Sequence, residues 1–406
     1  MNKKQESVFG LAVIVAALGY FVDIYDLLLF SIIRKPSLEA LGLRGDQVVN
    51  TGESIISIQM AGLLVGGIIW GIMGDKKGRL SVLFGSIILY SVANIANGFI
   101  QTVNQYAIVR FVAGVGLAGE LGAGVTLVSE LLPKEKRGIG TSIVAALGIT
   151  GAVLAYFISA NFSWRICYYI GGVLGLLLLI LRVSVFESDM YHKVKQLPVT
   201  KGNFLMFFTN RVRFRKYLLG ILIGLPTWYA IGVLISFCDK FGAELGITET
   251  IKPGKAVMYA YAAISVGGIL IGLLSQWLKS RKYAMFIFYG ITLLFIILYF
   301  LQHGGSASQM YIMCAGLGFG TGFWAIFVTM AAEQFGTNLR ATAATTIPNM
   351  VRGSLPLIIF LFKWIREYTN YVTGGWIIGI VIMLISALAL IMTEETFGRD
   401  LNFLEH

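Results

Sequence analysis

The chain has 406 residues, of which 57% are hydrophobic and only 13% are charged, and its mean hydropathy is +0.78. Soluble domains carry about a quarter charged residues, so this composition excludes an ordinary soluble protein and indicates an integral membrane protein. The formal net charge of +11 does not indicate a nucleic-acid partner, because the basic residues fall mostly in alternate loops.

Twelve apolar segments are predicted, each long enough to cross a bilayer as a helix. The first six cover residues 8–33, 52–74, 80–100, 103–131, 138–162 and 165–186. The second six cover residues 217–239, 256–278, 283–302, 307–333, 341–366 and 371–393. We therefore expect an all-α integral membrane protein divided into an N-terminal six-helix bundle (1–186), a basic linker (187–216), a C-terminal six-helix bundle (217–393) and a tail (394–406).

The basic residues also predict an orientation. With the N-terminus inside, the inner segments contain 20 Lys and Arg residues and the outer loops contain 8. This asymmetry predicts that both termini and the linker lie in the cytoplasm of a multi-pass plasma-membrane protein. The first apolar segment is too long for a cleavable signal peptide and contains two Asp residues, so we expect it to remain as a membrane helix.

The two halves share an internal repeat. Glu130 and Arg137 follow the fourth segment, Glu333 and Arg340 follow the tenth, and seven residues separate each pair. Positions 130 and 333 are 203 residues apart, which is half the chain. A parallel repeat of two six-helix halves predicts a binding site between them, near the middle of the membrane.

The loop Gly71-Ile-Met-Gly-Asp75-Lys76-Lys77-Gly78-Arg79-Leu80 resembles the signature of the major facilitator superfamily between helices two and three. The two Glu–Arg segments and the tail Glu395–Leu401 resemble its sugar-porter and metabolite:proton symporter branches. The resemblance implies two bundles that rock about a central cavity. It also implies a cytoplasmic gate of ion pairs, for which the candidates are Gly71, Asp75, Lys76, Gly78, Arg79, Glu130, Arg137, Glu333 and Arg340.

One position departs from this pattern. The second half has Gln276 where the first half has Asp75, so we expect the gate interactions on that side to be weaker or different. Asp75 itself is placed to cap a helix end and to interact with its dipole.

Two carboxylates lie within the first apolar segment. Asp23 and Asp26 are three residues apart, on nearly one face of a helix. A charge in the hydrocarbon region costs at least a few kcal/mol, so these residues indicate either a proton or ion site or structural partners for a buried arginine. Arg110 lies about seven residues from the outer end of the fourth segment, and Asp26 lies about seven residues from the outer end of the first. Both residues are therefore expected roughly 10 Å below the outer boundary of the membrane.

We therefore expect Arg110 to pair with Asp26, with Asp23 one turn deeper. The sugar-porter resemblance implies that Asp26 or Asp23, together with Arg110, couples transport to protons. A carboxylate beside arginine stays ionised and takes up a proton more readily once the arginine withdraws. The alternative is a static buried ion pair. Glu120, in a glycine-rich stretch of helix four, is a second proton site or a structural acceptor.

Arg352 is the candidate for substrate binding. Pro348 and Pro356 bracket it and predict a kinked helix. Its guanidinium suits bidentate binding of a carboxylate or phosphate. The expected partner is Glu120, an aspartate across the cavity, or an anionic group of the substrate. Further candidates for substrate contact are Asn349, Trp228, Tyr229, Trp324 and Tyr25, with the alternative that Tyr25 faces away from the two aspartates.

The function predicted from these residues is proton-coupled uptake of a small, anionic organic metabolite by alternating access in a monomer, with the proton as the coupling ion and no cofactor. The alternatives are proton-antiport efflux and facilitative uniport. The resemblance implies that drug antiporters carry a Gly- and Pro-rich motif on helix five. The fifth segment here reads Gly148-Ile-Thr-Gly151-Ala-Val-Leu-Ala155 without proline, which disfavours drug efflux. An enzyme is disfavoured by the positions of the three histidines and by the lack of a metal or nucleophile constellation, and the lack of a P-loop disfavours ATP-driven pumping. A sensor remains open.

Overall fold

The computed structural model describes residues 10–182, 191 and 195–405. Part of the predicted linker, including Lys193, and the N-terminal Lys3 and Lys4 lie outside the described residues. Within this part, twelve helical spans are long and apolar enough to cross a membrane, which confirms the predicted fold class. They are α1 Leu11–Ala40, α2 Asn50–Lys77, α3 Arg79–Asn97, α4 Val103–Leu131, α5 Lys136–Asn161, α6 Trp164–Arg182, α7 Arg211–Ile235, α8 Pro253–Trp277, α9 Arg281–Leu301, α10 Ala307–Glu333, α11 Arg340–Tyr368 and α12 Tyr371–Met392.

The end of α1 differs from the sequence prediction. The helix continues to Ala40 through Pro36, so Arg34, expected in an outer loop, lies in its last turns. Tertiary contacts hold this extension, because Ser37 and Leu38 are fully buried and the Tyr106 hydroxyl donates to Ser37 Oγ at 3.2 Å.

The start of α7 also differs from the prediction. The helix begins at Arg211, because the Asn210 side chain accepts hydrogen bonds from the backbone N–H groups of Val212 and Arg213 and caps it. Basic residues that we had assigned to the linker therefore form its first turns. The division of the chain at 186, 216 and 393 remains a sequence-based prediction.

Several spans are broken near the middle of the bundle. The helix of α4 is interrupted at Ala118–Gly119, and that of α10 at Gly322–Phe323, which is the corresponding place in the other half. Span α11 is interrupted at Ser354, and α7 ends in a π-helical turn, Ala230–Ile235. These breaks place Glu120 and Trp324 at the first residue of a new helical segment.

The two halves meet along α2 against α11 and α5 against α8. Glycine permits the close approach on each side: a Cβ at Gly71 would lie 2.9 Å from Thr342 Cα, and one at Gly272 would lie 2.4 Å from Ser142 Oγ. Both contacts lie toward the end of the bundle where α2 and α10 end and the C-terminal tail packs. We call this the terminal end, and the other the opposite end.

Candidate functional site

Asp26 and Arg110 form an ion pair inside the N-terminal half. Arg110 Nη1 lies 3.0 Å from Asp26 Oδ1, and Nη2 donates to the Asp26 carbonyl at 3.2 Å. Gln59 and Asn94 accept further hydrogen bonds from the same guanidinium, each at 3.3 Å. Both charged side chains are fully buried. Because all four residues belong to α1–α4, the pair bridges helices of one half and not the interface between halves.

Asp23 lies one turn deeper and has a different environment. Its residue is fully buried, and neither carboxyl oxygen has a hydrogen-bond partner within the described part of the chain. Its neighbour on the same helix face, Tyr20, accepts a hydrogen bond from Arg352 of the other half at 3.3 Å. The structure thus separates the two carboxyls: Asp26 is held by an arginine, and Asp23 is left without a partner near the interface.

Glu120 pairs with Arg182, a residue that sequence reasoning missed. Arg182 Nη1 donates to Glu120 Oε1 at 2.9 Å, and Ser86 Oγ donates to the same oxygen at 2.6 Å. A Cβ at Gly19 would lie 1.9 Å from Arg182 Nη2, so only glycine lets α1 pack against this pair. The sequence signal that could have identified Arg182 is its position as a single cation directly after a long aliphatic run. This environment is that of a buried structural pair.

Arg352 projects into the interface between the halves. Its guanidinium donates to Asn349 Oδ1 at 3.1 Å and to the Tyr20 hydroxyl, and it lies 5.8 Å from the centre of the Trp324 ring. The Asn349 amide in turn donates to the Ala118 carbonyl at 2.9 Å. Arg352 forms no ion pair among the described residues, and the expected partner Glu120 is already taken by Arg182. Asn349 therefore positions Arg352.

A central cavity of about 20 Å³ lies in front of Arg352. Its walls are mostly aromatic and aliphatic, and they come from both halves: Tyr20, Ile24, Ile149, Thr227, Trp228, Ile231, Tyr261, Ile264 and Trp324. Three predicted contact residues do not line it: Asn349, which lies behind Arg352, Tyr229 and Tyr25. The Tyr229 hydroxyl donates to the Gly375 carbonyl at 2.6 Å, and the Tyr25 hydroxyl donates to the Cys167 carbonyl at 2.8 Å, so each is turned into its own half.

A second cavity of about 630 Å³, the vestibule, lies between the halves at the opposite end. Its lining includes the last turns of α1 and α11 and the first turns of α2 and α8. It shares Trp228 and Ile231 with the central cavity, so these two side chains separate the two spaces. Lys363 and Glu53 form an ion pair across the vestibule that sequence reasoning missed.

At the terminal end, two buried glutamates each bind arginines from both halves. Glu130 Oε1 lies 2.8 Å from Arg79 Nη2 of its own half and 3.0 Å from Arg340 Nη1 of the other. In the repeat, Glu333 lies 3.2 Å from Arg281 of its own half and 3.9 Å from Arg137 of the other. The predicted gate residues are thus brought together, with Arg281 added.

Asp75 caps a helix across the interface. Its carboxylate accepts hydrogen bonds from the backbone N–H groups of Ala341 and Thr342, at 3.0 and 2.9 Å, and from the Thr342 hydroxyl at 2.7 Å. These N–H groups belong to the first turn of α11, which begins at Arg340 and has no helical acceptors for them. A carboxylate there also interacts favourably with the helix dipole.

The repeat has no equivalent cap, and the geometry explains why. Gln276 lies beside Gly138, whose Cβ would be 2.7 Å from Gln276 Nε2. The helix there already begins at Lys134, so the N–H groups of residues 138 and 139 lie in its second turn and bond within the helix. The expected difference between the two sides therefore reflects where each helix begins.

The remaining predicted gate residues shape the turn between α2 and α3. Gly78 has a φ of 102°, a backbone conformation that favours glycine, and it joins the two helices directly. Lys76 is exposed, and its carbonyl accepts a hydrogen bond from the Tyr191 hydroxyl at 3.1 Å.

The C-terminal tail closes over the gate. The Thr396 hydroxyl donates to Glu333 at 2.8 Å, and Arg340 Nη2 donates to the Leu401 carbonyl at 2.6 Å. Burial acts to raise the pKa of Glu395, but hydrogen bonds from the Ser280 hydroxyl and from backbone N–H groups, including that of Arg281, outweigh it and hold the pKa below its ordinary value.

The comparisons with known proteins agree with this architecture. A sequence model of the Major Facilitator Superfamily matches residues 9–359. The chain is 25% identical to the niacin transporter NiaP of Acinetobacter baylyi, over 96% of this chain and 94% of that protein. It is 24% identical to the benzoate transport protein of the same species, over 81% and 78%. It is 23% identical to the gentisate transporter of Corynebacterium glutamicum, over 82% and 76%.

Among solved structures, the chain is similar to the proton:xylose symporter XylE bound to 6-bromo-6-deoxy-D-glucose, with a TM-score of 0.76 and 16% identity over 97% of this chain and 98% of that one. The likeness supports the twelve-helix fold with two halves around a cavity. The chain therefore belongs to the Major Facilitator Superfamily, and it is a multi-pass membrane transport protein and not an enzyme.

Proposed function

We propose that this protein is a proton-coupled symporter that takes up a small organic carboxylate by alternating access. The observation that carries the proposal is Arg352, a buried cation at the interface between the halves. Among the described residues it forms no ion pair or hydrogen bond with a carboxylate, and Asp23 acts on it only through longer-range electrostatics. A cation in the membrane interior requires a compensating anion. Guanidinium binds a carboxylate through two parallel hydrogen bonds, so the substrate supplies that anion.

The walls around Arg352 favour a planar or aromatic substrate. Trp228, Tyr261 and Trp324 present ring surfaces to the central cavity. The relatives named as niacin, benzoate and gentisate transporters are consistent with this class, since all three compounds combine a ring with a carboxyl group. A cavity of about 20 Å³ holds roughly one water molecule, so binding requires the Trp228 side chain to move toward the vestibule.

The two aspartates of α1 provide a basis for proton coupling. Asp26 is held by Arg110 within one half, and this arrangement keeps it ionised while the guanidinium stays in place. Asp23 is buried without a hydrogen-bond partner, and burying an unpaired carboxylate charge is strongly unfavourable. A proton on Asp23 offsets this cost beside a negatively charged substrate. Proton and substrate binding are then linked through the electrostatics of one interface.

The direction of transport follows from the orientation. The excess of basic residues in the segments at the terminal end, 20 against 8, favours a cytoplasmic location for that end and for both termini. The vestibule then faces the outside, and the sealed terminal end faces the cytoplasm. Each chain contains both halves and the whole cavity, so a monomer suffices for transport.

A proteoliposome uptake assay tests the proposal, with labelled nicotinate and benzoate as probes. We expect accumulation under an inward proton gradient and loss of accumulation with a protonophore. Arg352→Gln should lose uptake and tight binding of both carboxylates. Arg352→Lys should retain only part of the uptake, because an ammonium group cannot form the two parallel hydrogen bonds of a guanidinium. Protein that binds neutral or cationic compounds best, with no change on Arg352→Gln, would overturn the anion assignment. Accumulation that survives the protonophore would overturn the coupling.

A further inference from the structure

We propose that the vestibule contains a first binding subsite for the substrate carboxylate, formed by Arg34 and Lys363 and regulated by Glu53. This inference rests on the proposed function, because the ligand is the carboxylate that later reaches Arg352. The subsite lies at the opposite end from the gate and is separate from the central cavity.

Arg34 is the cation available to a ligand. It lines the vestibule from the last turns of α1 and is partly buried. Its stem packs over α2, where a Cβ at Gly52 would lie 2.3 Å from Arg34 Cδ. Within the described part of the chain, its guanidinium forms no ion pair within 4 Å and no side-chain hydrogen bond, and the carboxylates of Glu53 and Asp239 act on it only from longer range. The wall therefore presents a fixed guanidinium to the cavity.

Lys363 is the second cation, and it has an internal counterion. Its ammonium contacts the Glu53 carboxylate across the vestibule, joining α11 of one half to α2 of the other. The side chains remain 37% and 19% exposed, so the pair is accessible to solutes that enter the vestibule. The charged residues that line the vestibule are Arg34, Lys363 and Glu53, so the lining has one excess positive charge, which favours a small anion. Asp239 lies outside this lining and moderates the charge of Arg34 from a distance.

Glu53 makes the subsite reversible. A substrate carboxylate that neutralises Arg34 also competes with Glu53 for Lys363. When the substrate moves on, Glu53 recovers its partner, so the cation is not left uncompensated. A transport pathway needs binding sites that attract a solute without trapping it. The internal carboxylate serves that purpose here.

The position of the subsite matches an inward route. Lys363 and Arg352 are eleven residues apart on α11, and Arg34 and Asp23 are eleven apart on α1, which corresponds to about 16 Å along a helix. Between the two levels the walls are mostly apolar, with Ser31 and Ser57 as polar exceptions, and Trp228 separates vestibule from cavity. A ring-bearing carboxylate held by Arg34 thus needs one step past Trp228 to reach Arg352.

The test compares initial rates of nicotinate uptake by proteoliposomes containing wild type, Arg34→Gln or Glu53→Gln. We expect Arg34→Gln to raise KM about fivefold at low ionic strength with little change in kcat, and the effect to shrink at high salt. Glu53→Gln should change KM in the opposite direction because it frees Lys363. Arg34→Lys should restore most of the affinity, which separates charge from folding.

Lys35→Gln and Glu39→Gln provide matched controls. Both residues lie on the same helix end as Arg34, but they are exposed, with side chains 78% and 48% accessible, and pair with each other outside the vestibule. A KM for Arg34→Gln equal to that of Lys35→Gln, in protein whose uptake still depends on Arg352, overturns the subsite and leaves the proposed function intact. Absence of carboxylate uptake by wild type overturns the proposed function itself.

A binding measurement isolates the subsite from transport. Arg352→Gln protein should retain weak nicotinate binding, detected by equilibrium binding of labelled nicotinate, and adding Arg34→Gln should remove it. Equal residual binding by the single and double variants overturns the proposal.

Discussion

Replacing Asp75 by alanine should open the terminal end of the bundle. The carboxylate accepts three hydrogen bonds from the first turn of α11, and all three cross the interface between halves. These bonds exist only while the halves are in contact there. The substitution therefore acts on the equilibrium between conformations more than on the fold of either half.

The magnitude follows from the cap. Loss of an N-cap side chain costs about 1 kcal/mol, and loss of a buried carboxylate that interacts with the dipole of the same helix costs about 1–2 kcal/mol more. The closed state should thus lose about 2–3 kcal/mol relative to the open state. Since about 1.4 kcal/mol is a factor of ten, the open population should rise about 30- to 150-fold.

A buried thiol reports this population. Thr345 lies in the interface of α11 with α4, is 1% exposed, and its hydroxyl has no hydrogen-bond partner in the described residues, so Thr345→Cys loses no bond. The three native cysteines are also buried. We expect the rate of maleimide labelling of Thr345→Cys to rise about 30- to 150-fold in Asp75→Ala.

The repeat supplies the matched control. Gln276 occupies the position that corresponds to Asp75, but it faces a helix whose N–H groups are already bonded, so Gln276→Ala should leave the labelling rate within about twofold of wild type. Folded Asp75→Ala protein that labels no faster than Gln276→Ala would refute the capping argument.

Three further predictions concern stability and coupling. Arg182→Gln should destabilise the protein by about 3–5 kcal/mol because it leaves Glu120 as an uncompensated buried charge. The double variant with Glu120→Gln should recover most of the lost melting temperature. A double variant that melts no higher than Arg182→Gln would contradict the pairing. Asp26→Asn should abolish uphill uptake while leaving exchange of substrate; full proton-driven accumulation by both Asp26→Asn and Asp23→Asn would end the coupling claim. Glu395→Gln should lower the melting temperature at neutral pH. A carboxyl with a depressed pKa stabilises the folded state at pH values above its unfolded pKa, and this contribution is lost as pH falls through the folded pKa. The difference in melting temperature between Glu395→Gln and wild type should therefore vanish in acid. A difference that stays constant with pH would contradict the depressed pKa of Glu395.

The number and approximate positions of the membrane spans were accessible from the sequence, because the apolar length of a helix is a local property. Depth is also local, since it follows from the rise per residue, and counting residues placed Asp26 level with Arg110, where the structure pairs them. The end of α1 was missed because the apolar run stops at Ile33, whereas burial of Ser37 and Leu38 by a neighbouring helix extends the helix to Ala40.

The partner of a buried charge depends on how each helix is rotated about its own axis, and the sequence did not allow that rotation to be predicted. Arg182 and Glu120 lie 62 residues apart in sequence, and nothing in either apolar run indicates that the two face each other. The sequence likewise showed that Asp75 is suited to capping a helix, but the helix that it caps belongs to the other half. The function of a buried charge depends on such distant contacts, which a single sequence does not specify.

The contacts of the C-terminal tail connect it to both halves of the bundle. The Thr396 hydroxyl and the Leu401 carbonyl bind Glu333 and Arg340 of the C-terminal half, and Arg137 of the N-terminal half donates to the Arg399 carbonyl at 3.3 Å. Glu333 and Arg340 are also the residues through which the halves form ion pairs at the terminal end. Separation of the halves at that end therefore requires the tail to release at least one of them, which makes the tail a third component of the closed state.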